Sequence, residues 1–325
     1  MRFPYKKELS RAYGITIQNP WLWVFGLFIG GISGNFFNRA AFDNRSQTDI
    51  AQDAEMAVAE TVSWILSHPI EFIALILLAL SILIIVILLQ GLSRGAVIWA
   101  AVELSKKEEK KRDPAPIGFS RALRASLKYL NKIVGLQLLL ILFAVAFLAI
   151  VTFPILFLFS VGAGAKAAIL LLLALSLFLP ALAVIFFSFI FGPIFIVMYR
   201  AGIAKALALS FKLIKKRFWQ CLGVLFVLSV AAVGVGVVAE ALFALISASG
   251  AGLSLLVAHD MSNIPGMILF FGSILIASIC VIVLGSAYAS FAQVFWTIAV
   301  KKMMAELELD EKEEALAIEP AHTIN

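Results

Sequence analysis

Charge is scarce in this chain: Asp, Glu, Lys and Arg make up 14% of its 325 residues, against roughly 25% in a soluble domain. Domains beyond about 250 residues split, and each still needs a charged exterior. The composition therefore excludes a soluble globular protein. Cysteine is nearly absent as well. Cys221 and Cys280 both fall in apolar runs, where a thiol behaves as a small hydrophobe, and neither has the spacing of a metal or redox motif. No structural disulfide is expected. The three histidines, His68, His259 and His322, stand singly, without a pair at metal-binding spacing, so neither a metal nor a cofactor is expected. Catalytic sets are lacking too. Intramembrane proteases need Ser with His, paired Asp or a metal cluster inside their spans, and lipid phosphatases and transferases need Arg, His or Asp constellations at the interface. No span carries such a set, so no catalytic residue is assigned and no enzyme is expected. Nor does a small-residue cleavage site with a polar mature start follow the first apolar run, which is therefore expected to remain as an uncleaved span.

What is abundant is apolar: 62% of the residues are hydrophobic. They gather in six runs that meet or nearly meet the roughly 17–25 residues needed to cross about 30 Å of hydrocarbon as helix. The predicted fold is all-α: a polytopic integral membrane bundle of six transmembrane helices with short interfacial amphipathic helices. The spans are placed at about 20–37, 70–90, 133–160, 167–199, 218–245 and 264–300, giving a membrane domain over 1–304 and an acidic cytoplasmic tail over 305–325. The fourth and sixth runs amount to about 50 Å of helix or more, so they must tilt, bend or protrude. Pro180 and Pro193 mark the fourth as a single kinked span.

Basic residues set the orientation, because short basic loops resist translocation. With the N-terminus inside, all but Arg39, Arg45 and Lys166 of the 26 basic residues fall on the cytoplasmic side. Both termini are expected there, in a bacterial plasma membrane. The outer loops carry Asp43, Asp49, Asp53, Glu55, Glu60, Glu71 and Asp260 instead. The formal charge of +6 thus reports sidedness, and without aromatics interleaved among the cations no nucleic-acid partner is expected.

Two cytoplasmic segments align without gaps. Arg121-Ala122-Leu123, with Ser126, Lys128 and Lys132, matches Lys205-Ala206-Leu207, with Ser210, Lys212 and Lys216. A fainter third copy, Arg11-Ala12-Tyr13 with Thr16, precedes the first span. Three units of basic helix, span, outer loop and span are predicted. On a helical wheel Arg121, Arg124, Lys128 and Lys132 fall on one side and Phe119, Leu123, Leu127 and Leu130 on the other; Lys205, Lys212 and Lys216 oppose Ile203, Leu207, Phe211 and Ile214 in the same way. Such helices suit the inner interface, where anionic headgroups add about 1 kcal/mol per nearby cation. The seven basic residues named for these wheels are the candidate lipid-headgroup contacts. The hydroxyls of Thr16, Ser126 and Ser210 either bond back one turn or to an adjacent span, or meet a headgroup or solute.

Two of these stretches carry a resemblance. Ala206-Leu207-Ala208-Leu209-Ser210-Phe211-Lys212-Leu213, between the fourth and fifth spans, and Asn19-Pro20-Trp21-Leu22-Trp23, leading into the first, resemble bacterial six-span proteins similar to the membrane domain of glycerophosphodiester phosphodiesterases. The resemblance implies a fold and a bacterial plasma membrane. The 325 residues hold no phosphodiesterase domain, so it carries over no catalytic residue.

Four further features complete the reading. Gly26, Gly30 and Gly34, four apart, lay a flat face along the first span for close packing against another span or another copy, and Gly234, Gly236 and Gly285 with Ala289 are read the same way. Glu240 is the one acid inside an apolar run and is either an intramembrane polar site or an interfacial carboxylate. Arg94, at the inner end of the second span, is expected to snorkel to phosphate. A surface helix is expected between the first two spans, with Ala54, Val58, Val62, Ile65 and Leu66 on one face, and in the tail Leu307, Leu309 and Leu316 are too sparse to form a core, so it is read as a solvated helix or a disordered end.

The function expected from these features is a non-catalytic, multi-pass, lipid-contacting scaffold or assembly component whose partners are anionic lipids and, as a homo-oligomer, other copies of itself. The alternative is a transporter or permease for a lipid or small solute. A water-accessible cavity lined by Gln137, Ser176, Glu240 or Gln293 would favour transport, and a dry bundle the scaffold.

Overall fold

The structure is a computed structural model that describes residues 4–31, 63–109, 117–161, 164–258 and 264–318. Among these residues every regular element is helical. In chain order they are α1 (Tyr5–Gln18), α2 (Trp21–Gly26, continuing as a π-helical turn over Leu27–Gly31), α3 (Pro69–Glu109), α4 (Phe119–Leu127), α5 (Leu130–Ser160), α6 (Gly164–Tyr199), α7 (Ile203–Ala258) and α8 (Ile264–Ile318). Uninterrupted apolar sequence dictates this outcome, because in hydrocarbon a helix satisfies every backbone donor and acceptor within its own segment.

Five helices, α3, α5, α6, α7 and α8, are long and apolar enough to cross a membrane. The chain is therefore a membrane-embedded helical protein. The expected first span is helical over Trp21–Gly31, and residues 32–37 lie outside the described residues, so the described count is five rather than six. The surface helix expected after it lies outside them as well, apart from a helical piece at 63–67.

The fourth run remains helical through Pro180 and Pro193, as one element. It ends where Arg200 takes a left-handed conformation, φ 53°, the geometry that closes many helices. α8 runs without a break from the sixth span through the expected tail boundary at 304/305 to Ile318, and Leu307 is buried. The start of the acidic segment thus belongs to a packed helix.

Packing is uneven along the bundle. None of the most apolar stretch of α3 is buried inside the protein, and Ile70, Ile73, Leu77 and Leu83 are exposed. A continuous apolar surface of that kind needs lipid around it. The buried core lies instead toward the ends that carry the basic residues: Ala96–Ala101 of α3, Phe187–Val197 of α6, Ala206–Leu228 of α7 and Val294–Met304 of α8 supply most of it. At its centre Phe187, Phe191 and Trp296 pack edge-on and stacked, with centroids 5.4–6.2 Å apart. α7 and α8 form an antiparallel hairpin pinned by the Tyr288 hydroxyl, which donates to the Leu228 carbonyl at 2.7 Å.

Candidate functional site

The short basic helices repeat one docking scheme. α1 buries Ala12 and Thr16, α4 buries Ala122 and Ser126, and the first turns of α7 bury Ala206 and Ser210. A small residue and a hydroxyl one turn apart let a helix approach its neighbour closely. The hydroxyls are satisfied locally: Thr16 Oγ1 donates to the Ala12 carbonyl at 2.9 Å, Ser126 Oγ to that of Leu123 at 2.8 Å and Ser210 Oγ to that of Ala206 at 2.8 Å. Across from these buried pairs, Arg121, Arg124, Lys128, Lys132, Lys205 and Lys216 are exposed and Lys212 is half-buried.

Two details depart from the wheels. α4 ends at Leu127 and a turn over Lys128 and Tyr129 precedes α5, so Lys128 and Lys132 do not share a helix with Arg121. The buried side takes in the small residues, and the predicted apolar stripes divide: Leu127 and Phe211 are exposed, whereas Ile214 is buried and Leu123, Ile203 and Leu207 pack against the core. The second copy bends later than the first. Arg217 breaks α7 with φ −129° and ψ 29° just after Lys216.

α1 is fixed by side chains as well as by shape. Lys302 Nζ on α8 pairs with the buried Glu8 at 3.1 Å, and Arg11 donates to the Ser105 carbonyl at the end of α3 at 2.6 Å. The Tyr5 hydroxyl packs against Gly223 of α7, and burial, reinforced by the Cys221 thiol, pushes the Tyr5 phenol above its ordinary pKa. The Asn19-Pro20-Trp21-Leu22-Trp23 segment forms the turn between α1 and α2. Asn19 Nδ2 donates to the Ile15 carbonyl at 2.9 Å and Trp23 Nε1 to that of Thr16 at 3.2 Å.

The glycine positions divide into two groups. A Cβ on Gly26 would meet the Ser286 carbonyl and the Ser290 hydroxyl, and one on Gly30 would meet Ala289 at 3.2 Å. That face is therefore covered by α8 of the same chain, and a second copy would have to use another. Gly34 lies outside the described residues. Gly234, Gly236 and Gly285, by contrast, have nothing within 4 Å of an added Cβ, so the expected close approach there is not what they provide. Glu240 is exposed and points away from the core.

Gly236 and Gly285 instead help to open a cavity of about 410 Å³, lined also by Gly30, Arg94, Tyr288, Gln293 and Trp296. Arg94 does not snorkel. It is half-buried, its Nη1 donates to the Phe189 carbonyl of α6 at 3.1 Å, and its guanidinium lies 4.1 Å from the centroid of the Phe189 ring. Its Nε, the Gln293 Nε2 and both polar atoms of the Gln137 amide are buried without a hydrogen-bond partner. Of the four residues named as cavity markers, Gln293 lines this one and Gln137, Ser176 and Glu240 do not.

Sequence reasoning placed Arg94 in the chain but not in this setting. One local signal was readable: Gly91 and Gly95 flank it four apart, and a Cβ on either would meet α4 or α5, at Val134 (3.0 Å) and Ser126 (3.1 Å). The rest of the wall comes from α2, α6, α7 and α8, distant in sequence. No group of three or more His, Cys, Asp or Glu residues positioned for a metal occurs among the described residues. No protein-family model matches the chain, and neither a curated protein nor a solved structure is similar to it.

Proposed function

We propose that this chain is a non-catalytic, six-crossing protein of a bacterial plasma membrane, with both termini in the cytoplasm, that engages anionic lipid through its basic interfacial helices and serves as a lipid-contacting assembly component. The observation that carries this reading is the repeated docking of α1, α4 and the start of α7. Each buries an alanine and a hydroxyl against the bundle, and Arg121 and Arg124 of α4 and Lys205 and Lys216 of α7 are exposed. Docking on protein rather than by insertion into lipid keeps the cations at a fixed level, where each adds about 1 kcal/mol of attraction to an anionic leaflet. The sixth crossing is the Pro20–Phe37 run, and the six-span fold is the one that the Ala206–Leu213 and Asn19–Trp23 segments resemble.

The test is lipid retention. The chain, purified from mixed vesicles, is expected to keep phosphatidylglycerol in preference to phosphatidylcholine, and the triple variant Arg121→Glu, Arg124→Glu, Lys128→Glu is expected to lose that preference at unchanged helicity. Equal retention of the two lipids by the parent chain would overturn the reading. A second reading, a permease, is favoured by the cavity beside Arg94; its test is counterflow of a labelled anion in proteoliposomes.

A further inference from the structure

The cavity beside Arg94 poses an electrostatic problem. A guanidinium removed from water costs several kcal/mol unless it is paired, and here its compensation among the described residues is one carbonyl and one aromatic face. No carboxylate pairs with it among those residues. A ring face offsets about 2 kcal/mol when desolvated, and a single neutral acceptor leaves Nε without a partner. The Gln293 Nε2 donor, on the same cavity wall, is also unused. Arg94 and Gln293, each with one unsatisfied donor, both line a space of about 410 Å³, within the roughly 300–1,000 Å³ range of ligand sites.

Besides Tyr288 and Trp296, the wall is aliphatic, with Ile29, Ala232, Val235, Val281 and Ala292 among its residues. Phe189, the ring on which Arg94 stacks, also lines a wholly apolar cavity of about 470 Å³ between α5, α6 and α7, with Leu140, Ala144, Leu182 and Leu222. Depth points the same way. Arg94 precedes Lys106 by about 18 Å of α3, and Gln293 precedes Lys301 by about 12 Å of α8, so the donors lie within the hydrocarbon thickness if those lysines mark the inner headgroups.

We propose that this cavity is an intramembrane binding site for an anionic amphiphile, whose carboxylate or phosphate head pairs with Arg94 and Gln293 and whose apolar body lies along the aliphatic wall. A carboxylate or phosphate accepts from guanidinium and amide donors together. The site stands whether the chain carries its ligand across the membrane or only holds it, and it is independent of the cations on α4 and α7.

Calorimetry on the full-length chain in a non-ionic detergent tests it, with dodecyl phosphate, dodecanoate, dodecanol and inorganic phosphate as probes. Both dodecyl anions are expected to bind at least about tenfold more tightly than dodecanol, and inorganic phosphate weakly. Arg94→Gln is expected to lower dodecyl phosphate affinity at least about tenfold, a loss that binding at the exposed cations would not show. Gly236→Leu, which adds a side chain where nothing lies within 4 Å, is expected to block the site in a chain that still folds. It therefore decides the matter even where Arg94→Gln fails to fold. Dodecanol binding as tightly as the anions, or parental affinity in Gly236→Leu, would overturn the proposal; inorganic phosphate binding as tightly as dodecyl phosphate would overturn the amphiphile and assign a free oxyanion.

Discussion

At the scale of single residues, the glycines show how little a sequence motif says without its neighbour. Gly26 sits against the backbone of α8, where Ser286 O and Ser290 Oγ occupy the space a side chain would need, and backbone cannot yield as a flexible side chain can. Gly26→Leu is expected to destabilise the chain by about 3 kcal/mol through overpacking. Gly236→Ala is expected to be neutral or to stabilise by up to about 1 kcal/mol, the helix-propensity difference, because the new methyl enters open space. Thermal unfolding followed by circular dichroism separates the two. The serines divide on the same principle. Ser290 donates across to the Leu22 carbonyl of α2 at 2.7 Å, so Ser290→Ala should cost about 0.6 kcal/mol, as interhelical hydrogen bonds in membranes do. Ser210 donates within its own helix, and Ser210→Ala should stay within about 0.5 kcal/mol. A larger loss at Ser210 than at Ser290 would contradict this account.

At the scale of elements, α1 depends on polar ties. Its lead-in Tyr5 is wedged on Gly223, but the fixed points are the Glu8–Lys302 pair and the Arg11 bond to the end of α3. Glu8→Lys sets two cations together at a buried position and is expected to weaken the docking by about 1–3 kcal/mol, exposing the N-terminal segment to limited proteolysis. Adding Lys302→Glu restores the pair with reversed charges and should recover protection; failure of that rescue would show that Glu8 acts through something other than Lys302. Helix α1 also illustrates what was readable in advance. Apolar runs located the long helices, since in lipid run length alone decides them. The alternation of cations and leucines marked α4 and the start of α7 as amphipathic. The wheel could not single out Ala122 and Ser126 as fully buried or Leu127 as exposed, because a leucine can face lipid while only small residues permit close helix contact. The Arg94 cavity was less legible still. Its walls come from residues 29–30, 190, 232–239 and 281–296, and no local periodicity links them. Glu240 drew notice as the lone acid of its run yet faces outward, since the hydropathy of a run does not encode which way one side chain points.

At the scale of the whole molecule, the number of crossings decides which surfaces face the cytoplasm. The five long helices would place the two termini on opposite sides; adding the Pro20–Phe37 run places them together. The eleven helical residues from Trp21 to Gly31 reach only about 17 Å, short of the roughly 30 Å hydrocarbon core. The basic residues favour the even count, because an odd count would translocate either the Lys106–Lys132 group or the cations on α1. Single cysteines at positions 128 and 212, in a chain with Cys221 and Cys280 replaced by alanine, should react with a membrane-impermeant maleimide only after the membrane is opened. Reporter fusions at the two ends should both report the cytoplasm. Labelling of either position in intact cells, or reporters on opposite sides, would reverse the orientation and move the basic helices to the wrong leaflet for anionic-lipid contact. The binding properties of the Arg94 cavity would survive that reversal, since they depend on which groups surround the guanidinium rather than on which side lies nearer.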